Sequence, residues 1–123
     1  MNPRARIAAS AELLDRLEVS RRGAFVAWHS ISNLCYLVAP QRGAVDTQAF
    51  VGELTTFVAV APTDTESLSF ATTLPMDDFE DAMQVAAARA CGADLIVTRN
   101  VRDYAASPIP AMTPAEALTV IGR

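Results

Sequence analysis

With 123 residues the chain is long enough for one domain with a real core and too short for two. Half of the residues are apolar (51%), which excludes an intrinsically disordered chain, and the net charge of −4 excludes a general nucleic-acid coat, though not a nuclease with a local acidic metal site. All ten cationic side chains are Arg, so a P-loop and any mechanism built on a catalytic lysine are excluded as well.

In chain order, the first expected element is a helix over Arg4–Leu17, with Ile7, Ala11, Leu14 and Leu17 as its apolar stripe and Arg21, Arg22 and Gly23 closing it. Ala24–Trp28 reads as a short strand of β-favouring residues. Ser30 or Ser32 then caps a helix whose apolar set includes Ile31, Leu34, Cys35 and Leu37, and which Pro40 ends. A further helix over Val45–Thr55 precedes a second apolar strand, Phe57–Ala61. After a turn at Pro62 and Thr63, Thr65 or Ser67 opens a short helix that stops before Pro75. An acidic-headed helix runs from Asp77 to Cys91 and ends at Gly92. Leu95–Thr98 is a third strand and Ile109–Met112 a short edge strand. Thr113 as N-cap, Pro114 in the first helical position and Glu116 in the third open the last helix.

Short strands that are apolar on both faces and separated by helices imply a parallel sheet covered on both sides, in a single three-layer α/β domain over 1–123. No apolar run reaches the roughly 18–20 residues of a membrane span, and the first residues lack the apolar core of a signal peptide. The expectation is therefore a cytoplasmic protein with no membrane contact. Cys35 and Cys91 lie far apart in apolar contexts without neighbouring His ligands, as buried free thiols do. The Gly residues are isolated, so no phosphate-cradling Gly-rich loop is present.

Chemistry concentrates between Asp78 and Tyr104. Asp77, Asp78, Glu80 and Asp81 crowd one helix start, where carboxylates interact favourably with the helix macrodipole. Asp81 differs from its neighbours because it shares a helix face with Val85 and Ala88, while Phe79, Ala82, Met83, Ala86 and Ala90 form the main core face. An acid at the rim of a mostly buried helix needs a partner, and a cation is one. Asn100 and Asp103 follow the strand LIVT, at the strand end where parallel sheets place their sites. A hard divalent cation takes such oxygen ligands, with water and phosphate filling the remainder. Alternatively TRNVRDY is a polar turn, with Asn100 in a left-handed conformation and Asp103 exposed. Spacing leaves both readings open. A lone His29 without a paired acid reads as a packed or capping residue.

The order D-x-x-D-A, helix, G-A-x-x-I-V-T-R-N-V-R-D-Y, S-x-I-P, T-P-x-x-A-L, followed from Asp78 to Leu118, resembles the second half of a PIN domain. HSISNLCYL, His29–Leu37, is similar to that family's second conserved helix. The resemblance implies a Rossmann-like α/β/α fold and a divalent-metal-dependent endoribonuclease, commonly the toxin of a toxin–antitoxin pair. It further implies an RNA substrate, an antitoxin protein as partner, and Mg²⁺ or Mn²⁺ as cofactor. By that resemblance Asp81 and Asn100 bind the metal and Asp103 shares the catalytic cluster. Asn33 stands where the family commonly has a metal-binding Glu, and its neutral amide is the weaker ligand. Thr98 orients the last ligand through its hydroxyl, and Arg99 and Arg102 hold the phosphate backbone.

PIN domains begin with an apolar strand ending in Asp, of the pattern L-L-D-T-N/D. Here NPRAR leads directly into the first helix, so the resemblance covers all but that strand and its acid. The strand belongs in the middle of the sheet. Its omission leaves two neighbours without ladder partners, at about 1–3 kcal/mol for each buried unpaired group. The expectation is either a native product that extends ahead of Met1 or a chain that starts there, dimerises and has little catalytic activity.

Overall fold

A computed structural model describes residues 3–20, 23–32 and 43–121. Pro3 opens helix α1, Pro3–Ser20, using the fixed φ that suits a first helical position. Strand β1, Phe25–Val26, follows, and residues 28–32 are already helical. Helix α2 spans Ala44–Leu54, strand β2 Ala59–Val60 and helix α3 Thr65–Ala71. Helix α4, Phe79–Ala90, leads through Gly92 (φ 68°) to strand β3, Ile96–Val97. A short 3-10 helix, Val101–Tyr104, strand β4, Ala111–Met112, and helix α5, Pro114–Ile121, complete the order. No helix among the described residues is long and apolar enough to cross a membrane.

The class is α/β with parallel pairing, as expected. β1 pairs with β2 (Phe25 opposite Ala59, Val26 opposite Val60), and β3 with β4 (Ile96 opposite Ala111, Val97 opposite Met112). These pairs are two separate two-stranded sheets rather than one. Nor are the strands covered on both faces: Phe25 is 47% and Val97 37% exposed.

The cores are built largely from alanine, which lets elements approach closely. Ala27, Ala61 and Ala87 form one cluster, against which Cys91 packs. Ala71, Ala82 and Ala86 form another, with Phe70, Leu74, Met76 and Met83 around it. This second cluster is the α3–α4 contact, reinforced where Arg89 of α4 lies 4.2 Å over the Phe70 ring and pairs with Glu66 at 3.3 Å. α1 packs against α5.

Several expectations about elements are corrected. All four strands are shorter than their apolar runs. Trp28 is drawn into the helical segment, because the Ala27 carbonyl accepts from the N–H groups of Ser30 and Ile31. Ser30 and Ser32 therefore lie within that segment rather than capping it. Phe57 and Val58 close the turn after α2 by donating to Leu54. Among the described side chains of α1, Leu13 is buried and Ala11 is exposed. α3 is capped by Asp64, whose side chain accepts from the Ser67 N–H at 3.2 Å, with Ser67 in the third helical position. On α4 the buried set is Ala82, Val85, Ala86, Ala87 and Ala88, leaving Phe79 and Ala90 exposed. The start of α5 agrees with expectation: Glu116 N–H donates to Thr113 Oγ1 at 3.2 Å and Thr113 N–H to Glu116 Oε1 at 3.0 Å. The Thr113 N–H first, and then its hydroxyl, hold the Glu116 carboxyl below its usual range. Asn33, Leu34, Cys35, Leu37 and Pro40 lie outside the described residues.

Candidate functional site

The first turn of α4 is organised by Asp78. Its Oδ1 accepts from the N–H of Glu80 at 2.8 Å and of Asp81 at 3.2 Å, satisfying two donors that a helix start leaves open. Asp78 is thus committed to capping, and Asp81 projects half-buried one turn in. Behind β3, the 3-10 helix turns the chain back toward α4 and buries Tyr104. The Tyr104 hydroxyl donates to Asp81 Oδ1 at 3.1 Å, joining the start of α4 to the 3-10 helix that follows β3. Gln84, one turn beyond Asp81, donates through Nε2 to Ser30 Oγ, just past the end of β1. The first half of α4 therefore reaches the segments that follow β1 and β3, on the C-terminal side of the strands, where parallel sheets carry their sites.

The electrostatics of this corner are one-sided. Burial pushes the Asp81 carboxyl above the usual carboxylate range; the Tyr104 hydrogen bond opposes this, while the charges of Asp78, Asp103 and Glu80 add to it. Burial beside the Asp81 charge likewise pushes the Tyr104 phenol up, so the hydroxyl remains a donor. The ion pairs among the described residues, Arg16–Glu12 and Arg89–Glu66, leave all four acids out.

The residues expected at the site are placed as follows. Tyr104 bonds Asp81, and the Asp103 charge lies near enough to act on the Asp81 carboxyl. Thr98 Oγ1 accepts from the Asn100 N–H at 3.1 Å, fixing the first residue of the loop. Asn100 has φ −115° and ψ 60°, so the left-handed conformation weighed for it does not occur. Its carbonyl accepts from the Asp103 N–H at 3.0 Å and starts the 3-10 helix. Arg99 turns to α1, donating from Nε at 3.3 Å and Nη2 at 2.9 Å to Ser10 Oγ. Arg102 is exposed, and Asn33 is outside the described residues. Among the described residues, no three acidic, imidazole or thiolate side chains are grouped to hold a metal ion. His29 is half-buried with its Nε2 unpartnered among the described residues.

Sequence reasoning missed Tyr104. The available signal was an aromatic residue closing a polar loop: a buried tyrosine keeps a hydroxyl that must find a partner, and an acid waited on the neighbouring helix.

The groups around Asp81 offer oxygen atoms, the kind of donor that hard divalent cations take. Compared with known families, the chain matches the model of the PIN domain over residues 2–102. Neither the curated proteins nor the solved structures gave a match.

Proposed function

Because this chain belongs to the PIN-domain family, a family of nucleases that generally use divalent metals, we propose that it is a metal-dependent endoribonuclease and the toxin of a toxin–antitoxin pair. The observation that carries this reading is the Asp81 carboxylate, held by Tyr104 among other acids, none of them in an ion pair among the described residues.

In this reading Asp81 and Asn100 hold Mg²⁺ or Mn²⁺, with Asn33 as a neutral third ligand and Asp103 beside them. Such a cation, when bound, activates water and neutralises charge on a scissile phosphate. The chain's own residues supply position. Tyr104 occupies one Asp81 oxygen and leaves the other for binding. Thr98 sets the direction in which Asn100 leaves β3. Arg102 is the better candidate for phosphate contact, since Arg99 is tied to Ser10. The working environment is the cytoplasm, with RNA as substrate and an antitoxin as protein partner.

A second reading is a catalytically impaired PIN module that dimerises or binds a protein partner. It is favoured by the lack of a three-group metal cluster among the described residues and by the neutral Asn33. RNA cleavage separates the two. On single-stranded RNA, Mn²⁺-dependent cleavage that EDTA stops and Asp81→Asn reduces about a hundredfold or more is expected for the first reading. Metal-independent cleavage, cleavage unaffected by Asp81→Asn, or none at all rejects it.

A further inference from the structure

Tyr104 sits at the acid corner with little freedom. It is 7% exposed, the 3-10 helix that carries it starts from the Asn100 carbonyl, and its own carbonyl accepts from the Ser107 N–H at 3.0 Å. Its hydroxyl donates to one oxygen of Asp81, Oδ1, while Oδ2 accepts from none of the described residues. The backbone of Asp81 is fixed as well, its N–H donating to Asp78 Oδ1. A carboxylate on two rotatable bonds would otherwise turn away from like charges, and those of Asp78, Asp103 and Glu80 act on it here. The donor that holds it is neutral. A guanidinium in the same place would orient the acid and cancel its charge, whereas a phenol orients it and leaves the charge for a cation.

The two oxygens of Asp81 are thereby made unequal, and divalent cations differ in how they use such a pair. Ca²⁺ takes about six to eight oxygen ligands and can grip a carboxylate by both atoms. Mg²⁺ demands an octahedron with contacts of about 2.0–2.1 Å, and it uses one or two carboxylates with water. To grip Asp81 by both atoms, a cation must share Oδ1 with the Tyr104 hydroxyl or displace it, and displacement leaves a buried hydroxyl unpaired. A cation that needs one oxygen meets no such penalty. On the reading that Asp81 is a metal ligand, we propose that Tyr104 sets the metal selectivity of this site: by occupying Oδ1 it presents Asp81 as a one-oxygen ligand and favours Mg²⁺ over Ca²⁺. Tyr104 is in this role a positioning residue, acting through Asp81 and touching neither metal nor substrate.

Calorimetric titrations of Mg²⁺ and of Ca²⁺ into the protein and its variants test this. The parent is expected to bind Mg²⁺ about tenfold or more tightly than Ca²⁺. In Tyr104→Phe, which keeps the ring and loses the hydroxyl, that ratio should fall by about tenfold, the size of effect that hydrogen bonds to metal ligands carry. The ratio is the readout because a changed proton affinity of Asp81 weakens both ions alike. Thr113→Ala, which removes the hydroxyl that caps α5, controls for lost stability and should leave the ratio unchanged. Asp81→Asn should bind neither ion. A parent without preference for Mg²⁺ overturns the selectivity role while metal binding through Asp81 stands. So does a ratio that Tyr104→Phe leaves alone, or that Thr113→Ala lowers as much. Binding that Asp81→Asn leaves intact, or no binding by the parent, overturns the underlying reading and this inference with it.

Discussion

Asp81 and Tyr104 are 23 positions apart and make one unit. The Asp81 carboxyl has a folded pKa above the ordinary 3.8, so the folded state holds its proton longer than the unfolded chain does. Below 3.8 both states are protonated and nothing is lost. As pH rises through 3.8 toward the raised folded value the unfolded chain ionises first, and stability falls; above that value the loss is constant. Asp81→Asn removes the loss, so without metal at neutral pH its Tm should rise slightly, by roughly 1–3 °C, with a flatter acid limb in thermal melts. Tyr104→Phe takes away the one influence that lowers this pKa. It should cost about 1 kcal/mol in denaturant melts and move the Asp81 carboxyl further up in an NMR titration. Asp81 was legible in the sequence because an acid on an apolar helix stands out. The fate of Arg99 was not: it read as a phosphate ligand, yet its partner Ser10 lies 89 positions away, and sequence spacing carries no information on such pairs.

The ends of the helices were more legible than the strands. Thr113, Pro114 and Glu116 announce α5 because a capping box is local chemistry, complete within four residues. α3 was found with the wrong cap, since Asp64, Thr65 and Ser67 can all accept a helix N–H and only Asp64 does. The strands were overread because apolar runs do not say where a neighbouring helix stops; the turn after α2 absorbs Phe57 and Val58. At α4, Asp78 combines a cap with a charge, and two substitutions separate these. Asp78→Ala should lose about 1 kcal/mol, whereas Asp78→Asn keeps the cap and much of the stability. Both should lower the Asp81 pKa by removing a neighbouring negative charge, as followed by NMR.

At the scale of the molecule, the α/β class followed from the alternation of short apolar strands with helices, and the PIN match over residues 2–102 agrees with it. The division into two strand pairs was not legible, since the short apolar strands read as one parallel sheet. Composition gives no sign of it, because an unpaired strand edge is a property of neighbours in space. The same division brings the ends of β1 and β3 to the first half of α4, where the acids gather. The proposed function rests on that corner binding a divalent cation through Asp81. The most direct measurement is a calorimetric titration of Mn²⁺ into the chain and into Asp81→Asn, paired with melts of both. One saturable site in the parent is expected, with a stability gain of about 2.7 kcal/mol at a hundred times its Kd. Asp81→Asn should show neither the heat nor the gain. Equal binding by the two proteins would contradict the assignment of Asp81 as a metal ligand.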